Sequence, residues 1–131
     1  MNRDKLLELY KKYELTKDDV YKHQHFVIIT RQGIEKIQAK ENITISYEVI
    51  KCETNFAVFK AKAYINTKPN TIIETFGSAL KGSNFKDGNC NTFYVAEMAK
   101  KRAMSRAVLK LTGFYQLGIF GEDESEDFKK K

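Results

Sequence analysis

The sequence predicts an α+β fold: an antiparallel β-meander of three to four strands packed against a long C-terminal helix, a β-β-β-α core with short N-terminal helices. Three observations carry this. Apolar residues recur with a period of two across residues 43–80, broken only by two turn-forming clusters. Residues 95–112 switch to helical spacing and end at Gly113, a C-terminal stop signal. At 131 residues, 42% apolar and 31% charged with a single proline, the chain suits one domain that buries roughly two-thirds of its unfolded surface.

Residues 3–13 place Leu6, Leu7, Leu9, Tyr10 and Tyr13 at helical spacing, with Asn2 as a cap. FVIIT (26–30) is β-branched and apolar and reads as a buried strand. It runs into a short helix over 31–42, where Ile34, Ile37 and Gln38 share a face. From Ile43 the alternation of Ile43, Ile45, Tyr47 and Val49 with Thr44, Ser46 and Glu48 gives a strand with one buried face, ending in a turn at 53–55. In 55–67, Ala57, Phe59, Ala61, Ala63 and Ile65 form the core set, which turns Phe56, Val58, Lys60, Lys62 and Tyr64 outward. Pro69 marks KPN (68–70) as a turn, and 71–80 reads as the third strand. Residues 81–93, rich in Gly, Asn, Ser and Asp, form an exposed loop carrying Lys81, Phe85 and Lys86. The domain spans 1–121, and 122–131 is a charged tail.

Net charge is +6, but five acids and three lysines fall within 122–131, leaving the rest with 20 cations against 12 acids, a balance of +8. Such a domain suits a polyanionic partner. Cys52 and Cys90 stand far apart, as free thiols in a reducing cytoplasm would. The charged N-terminus does not read as a signal peptide, and no run approaches the ~18 apolar residues of a membrane span.

Catalytic signatures are thin. His23 and His25 form an H-x-H without the paired close spacing of a zinc site, and the glycines make neither a P-loop nor a dinucleotide fingerprint. The expectation is a protein that is not an enzyme and needs no metal or cofactor.

The last helix is more informative. Ala99, Ala103 and Ala107 form a small-residue ridge that lets its backbone approach a sheet, widened by Val95, Met104, Val108 and Leu111. Arg102, Arg106 and Lys110 repeat at the same spacing on an adjacent flank, with Arg102 nearer the buried boundary. They serve either as phosphate contacts or as partners of acids such as Glu97 or Glu74. With Lys60, Lys62 and Tyr64 on the sheet and Lys81, Phe85 and Lys86 in the loop, they interleave cations and aromatics, the mixture that tracks a phosphate backbone and stacks bases.

TFYVAEMAKKRAMSRAVLKLTGFYQLGIFGEDE (92–124) resembles the signature segment of phage and bacterial single-strand annealing proteins of the Erf-like and Rad-fifty-two-like superfamily. The matching residues are Ala96, Glu97, Ala99, Lys101, Arg102, Ala103, Arg106, Ala107 and Gly113, ahead of an acidic EDE. FVIITRQGIEKIQAKENITISYEV (26–49) is similar to the family's first strand and helix. The resemblance implies assembly into rings or filaments and ATP-independent annealing of single strands held in a basic groove beside the helix, at Lys101, Arg102 and Arg106. It also implies phage-type homologous recombination in a bacterial cytoplasm, encoded by a phage or prophage, and a single-strand-binding protein as a further partner. The chain is short for this family, its C-terminal region being reduced to the acidic tail. Two other readings stay open: a protein-interaction or inhibitor module with a basic docking face, and an RNA-binding module.

Overall fold

The computed structural model describes residues 3–23, 26–81 and 94–122. In chain order the elements are α1 (Arg3–Lys12), β1 (Val20–His23), β2 (Phe26–Ile29), α2 (Arg31–Glu41), β3 (Ile43–Cys52), β4 (Phe56–Ile65), β5 (Lys68–Leu80), α3 (Val95–Thr112), a 3-10 turn (Tyr115–Leu117) and β6 (Ile119–Gly121). The fold is α+β, with α3 packed on the antiparallel meander β3-β4-β5.

A second small sheet, β1-β2-β6, was not legible in the sequence. The strand at 26–29 joins this sheet and not the meander. It pairs antiparallel with β1, and in parallel with β6 through Val27↔Ile119, Ile28↔Phe120 and Ile29↔Gly121. Strands of four and three residues are too short to show a period. The parallel pair ties the segment after α3 to the residues that precede α2.

Both predicted helix ends turn on left-handed backbone. Asn42 (φ 53°) closes α2 and Gly113 (φ 91°) closes α3. The tight turn after β4 lies at Asn66 and Thr67, and Lys68, Pro69 and Asn70 already belong to β5. Proline is tolerated there because β5 is an edge strand and begins beside an irregularity in its ladder with β4.

On the inner face of the meander Ala57, Ala61, Ala63 and Ile65 are buried as predicted, whereas Phe59 is only half-buried and Val49 is 55% exposed. The reason is cover: α3 lies across β4 and β5 and barely reaches β3, whose far end also kinks at a bulge between Val49 and Lys51. On the outer face Phe56, Val58 and Tyr64 are half-buried, and the exposed apolar side chains come instead from β5: Ile72 (49%), Phe76 (51%) and Leu80.

The main core joins Ile29 of β2, Ile34 and Ile37 of α2, Ala61 and Ala63 of β4, and Ala103, Ala107, Val108 and Leu109 of α3, together with Phe114 and Ile119. Helix α1 and the turn after it dock on it through Leu6, Tyr10 and Tyr13, the two tyrosine rings lying 6.4 and 5.9 Å from the Phe114 ring. Leu7, on the same predicted stripe, points to solvent. Between α1 and β1, the fully buried Asp19 carboxylate accepts from Thr16 N–H (2.9 Å), Thr16 Oγ1 (3.2 Å) and Lys36 Nζ (2.6 Å). Among the described residues no helix is long and apolar enough to cross a membrane.

Candidate nucleic-acid interface

The alanine ridge sets the orientation of α3. Ala99, Ala103 and Ala107 are fully buried against the meander, so the residues beside them straddle the margin of the contact. Arg102 falls inside that margin, at 1% exposure, and its Nη1 donates to the Ser78 carbonyl at 2.8 Å. Arg106, one turn on, donates to the Phe76 carbonyl at 2.6 Å.

Those two carbonyls belong to the open edge of the sheet. Lys81 N–H bonds to Asn55 O (2.7 Å), and alternation along an antiparallel ladder then turns the main-chain groups of Ser78 and Phe76 away from β4. The two guanidinium groups therefore cap acceptors that a further strand would otherwise use. This corrects the expectation that Arg102 lines a basic groove: burial takes it out of reach of a solvent-borne strand. Glu74, offered as an arginine partner, is held by Lys60 at 3.0 Å.

The sheet residues lie elsewhere. Lys60, Lys62 and Tyr64 are on the face of the meander opposite α3, so they do not share a surface with the helix. Lys60 lies between Glu74 and Glu48 (3.7 Å). The hydrogen bond it donates to Glu74 and the charge of Glu48 push its ammonium above the usual lysine range. Lys62 is exposed opposite Glu74, Lys81 follows β5 and is half-buried, and Lys110 sits 5.4 Å from the Tyr115 ring centroid. Lys86 and Phe85 lie outside the described residues, as do His25 and Cys90. Cys52 is an exposed free thiol. Among the described residues no three His, Cys, Asp or Glu side chains converge.

What the fold does bring together is a groove of about 280 Å³ between α2, α3 and β3. Arg31 and Glu35 line it from α2, Tyr47 from β3, and Glu97, Lys100, Lys101 and Met104 from α3. Lys100 Nζ stands 4.6 Å from the Tyr47 ring centroid, a cation–π distance. Burial raises the Tyr47 phenol above its ordinary pKa, so it stays neutral. Tyr47 also stands at the other open edge of the meander. Asn66 N–H bonds to Asn42 O (2.9 Å), which by the same alternation turns the main-chain groups of Ile45 and Tyr47 away from β4. A strand laid in this groove meets three cations, one aromatic face and backbone donors.

Of the residues singled out from the sequence as nucleic-acid contacts, only Lys101 lines this groove. Arg31 and Tyr47 carried no signal, being remote in sequence from α3. Lys100 did carry one: Glu97, Lys100, Lys101 and Met104 follow at i, i+3, i+4 and i+7, a helix face of their own beside the alanine ridge. Comparison with family models, with curated proteins and with solved structures returns no match.

Proposed function

We propose that this chain binds single-stranded DNA without sequence preference and anneals complementary strands without nucleotide hydrolysis, as a ring- or filament-forming oligomer in phage-type recombination in a bacterial cytoplasm. The observation that carries the binding step is the convergence of Arg31, Lys100 and Lys101 around the Tyr47 ring. Clustered cations neutralise phosphates and release their counterions, and an aromatic face stacks any base. The mixed lining, with Glu35 and Glu97 among the cations, favours a strand whose bases turn inward and whose phosphates follow the lysines. Annealing, oligomer and a single-strand-binding partner rest on the resemblance of residues 26–49 and 92–124 to single-strand annealing proteins.

The test is fluorescence anisotropy with labelled oligothymidylate, a mixed-sequence single strand, duplex DNA and RNA, followed by annealing of complementary oligonucleotides without ATP. Lys100→Ala, Lys101→Ala and Arg31→Ala are each expected to weaken binding to both single strands alike. Each should flatten the plot of log affinity against log salt by about 0.7. An unchanged slope in a folded Lys100→Ala, Lys101→Ala double variant overturns the groove as the binding surface. Preference for RNA or duplex over single-stranded DNA overturns the annealing assignment.

A further inference from the structure

The two edges of the meander differ. On β5 the outward carbonyls of Ser78 and Phe76 are taken by the guanidinium groups of Arg102 and Arg106. On β3 the pairing fixed by Asn66 N–H and Asn42 O turns the main chain of every second residue, Ile43, Ile45, Tyr47 and Val49, away from β4. The Ile43 carbonyl accepts from Gln38 Nε2 at 3.3 Å, whereas among the described residues no side chain caps the main chain of Ile45, Tyr47 or Val49. A stretch of β3 therefore stays open to a further strand, bounded by Gln38 at one end and by the bulge after Val49 at the other. Its side chains carry two chemistries. On the face toward α3, Tyr47 lies beside Arg31, Lys100 and Lys101, and Val49 is exposed because the helix barely reaches β3. On the other face Ser46 and Glu48 meet solvent.

We propose that the β3 edge from Ile45 to Val49 takes an extended segment of another protein as an antiparallel fourth strand, with the pattern apolar, basic, acidic, polar, apolar. Main-chain hydrogen bonds to Ile45, Tyr47 and Val49 hold it, and alternate side chains select it. Directly opposed residues share a face, so the first apolar side chain covers Val49 and the acid opposite Tyr47 reaches the groove cations. Charge complementarity fixes this choice, since the groove carries three cations against two acids and has room for one more carboxylate. The basic residue falls opposite Glu48, on the outer face. A segment seated this way covers the groove and excludes a nucleic-acid strand, so a protein partner and a polynucleotide compete for it. That competition rests on the single-strand reading above, whereas the edge pairing does not.

The probe is the acetylated, amidated peptide Thr-Val-Lys-Glu-Thr-Val-Thr. Two controls accompany it: the same peptide N-methylated at its glutamate, which removes the donor to the Tyr47 carbonyl, and one with lysine in place of the glutamate. Hydrogen–deuterium exchange of the full chain, read by mass spectrometry, is expected to slow about tenfold over residues 45–49 with the probe and to stay unchanged over 74–80 at the capped β5 edge. Each control should bind about tenfold more weakly. Equal binding of the N-methylated peptide, or no slowing at saturating probe, overturns the proposal. So does protection of 45–49 that is complete without peptide and fades on dilution, the sign of a second copy on the edge. Oligothymidylate added to the same samples separates the two readings. Its displacement by the probe upholds both, whereas slowed exchange at 45–49 with oligothymidylate binding absent or unaffected upholds the edge pairing and overturns the single-strand reading of the groove.

Discussion

Gly77 of β5 lies directly beneath Ala99 of α3: a Cβ built on Gly77 overlaps the Ala99 carbonyl oxygen and stands 2.5 Å from Ala103 N and 3.0 Å from Arg102 Cβ. The close approach of helix to sheet thus needs the absence of a side chain here as much as the alanine ridge above it. The obstructing atoms are helix backbone, which cannot rotate aside. Gly77→Ala is therefore expected to destabilise the protein by about 3 kcal/mol or more through overpacking, read as a lowered urea midpoint. Gly113→Ala meets no atom within 4 Å and loses only its left-handed backbone freedom, about 1 kcal/mol. Equal losses for the two would mean that α3 does not bear on Gly77.

Arg102 and Arg106 are expected to behave as structural residues. Arg102→Ala leaves the Ser78 carbonyl without its charged donor at a nearly dry site, costing about 1–3 kcal/mol, and Arg106→Ala, at a more exposed carbonyl, costs less. Neither change should alter the salt slope of single-strand binding in protein that remains folded, in contrast to Lys101→Ala. Uncapping the β5 edge should also promote aggregation, visible by light scattering. A flattened salt slope for folded Arg102→Ala would return that residue to the binding surface.

Asp19 gives the fold an acid-sensitive point. Burial pushes its carboxyl up, but hydrogen bonds from Lys36 and Thr16 more than offset this, and its pKa lies below the ordinary aspartate range. The stabilisation it provides is complete above the unfolded value of about 3.9 and is lost as pH falls through the folded value. Asp19→Asn should cost about 3 kcal/mol at neutral pH, with the gap to the unmodified protein closing below pH of about 4. Chemical denaturation at several pH values measures it, and a gap constant into strong acid would show that the ion pair with Lys36 is not its source.

The outer face of the meander is expected to be the surface through which copies associate. Ile72, Phe76 and Leu80 stand exposed there, beside half-buried Phe56, Val58 and Tyr64, an apolar patch that a solitary protein would leave against water. Sedimentation should find species heavier than the 15.2 kDa chain. Phe76→Glu should return them to monomer without lowering the melting temperature. A monomer alone at micromolar concentration, with and without DNA, counts decisively against assembly.

The elements of the meander and α3 were legible because each carries a long periodic pattern: Ile43 to Tyr47 and Ala57 to Ile65 alternate, and Ala99, Ala103 and Ala107 share a ridge. Local chemistry likewise announced the stop at Gly113. The short strands β1 and β6 escaped because neither holds enough residues for a period, and their pairing depends on a neighbour remote in sequence.

The sequence by itself determined the α+β class, the buried faces of β4 and α3, and a domain rich in cations, since spacing and composition are properties of the chain alone. Which cations face solvent together was decided only by the tertiary structure. One residue of offset around α3 sends Arg102 into the β5 edge and Lys101 into a groove, and Arg31 and Tyr47 reach that groove through contacts no local pattern encodes. Lys60, read as a free cation on a strand, acquires Glu48 and Glu74 from its two neighbouring strands because pairing register sets its company.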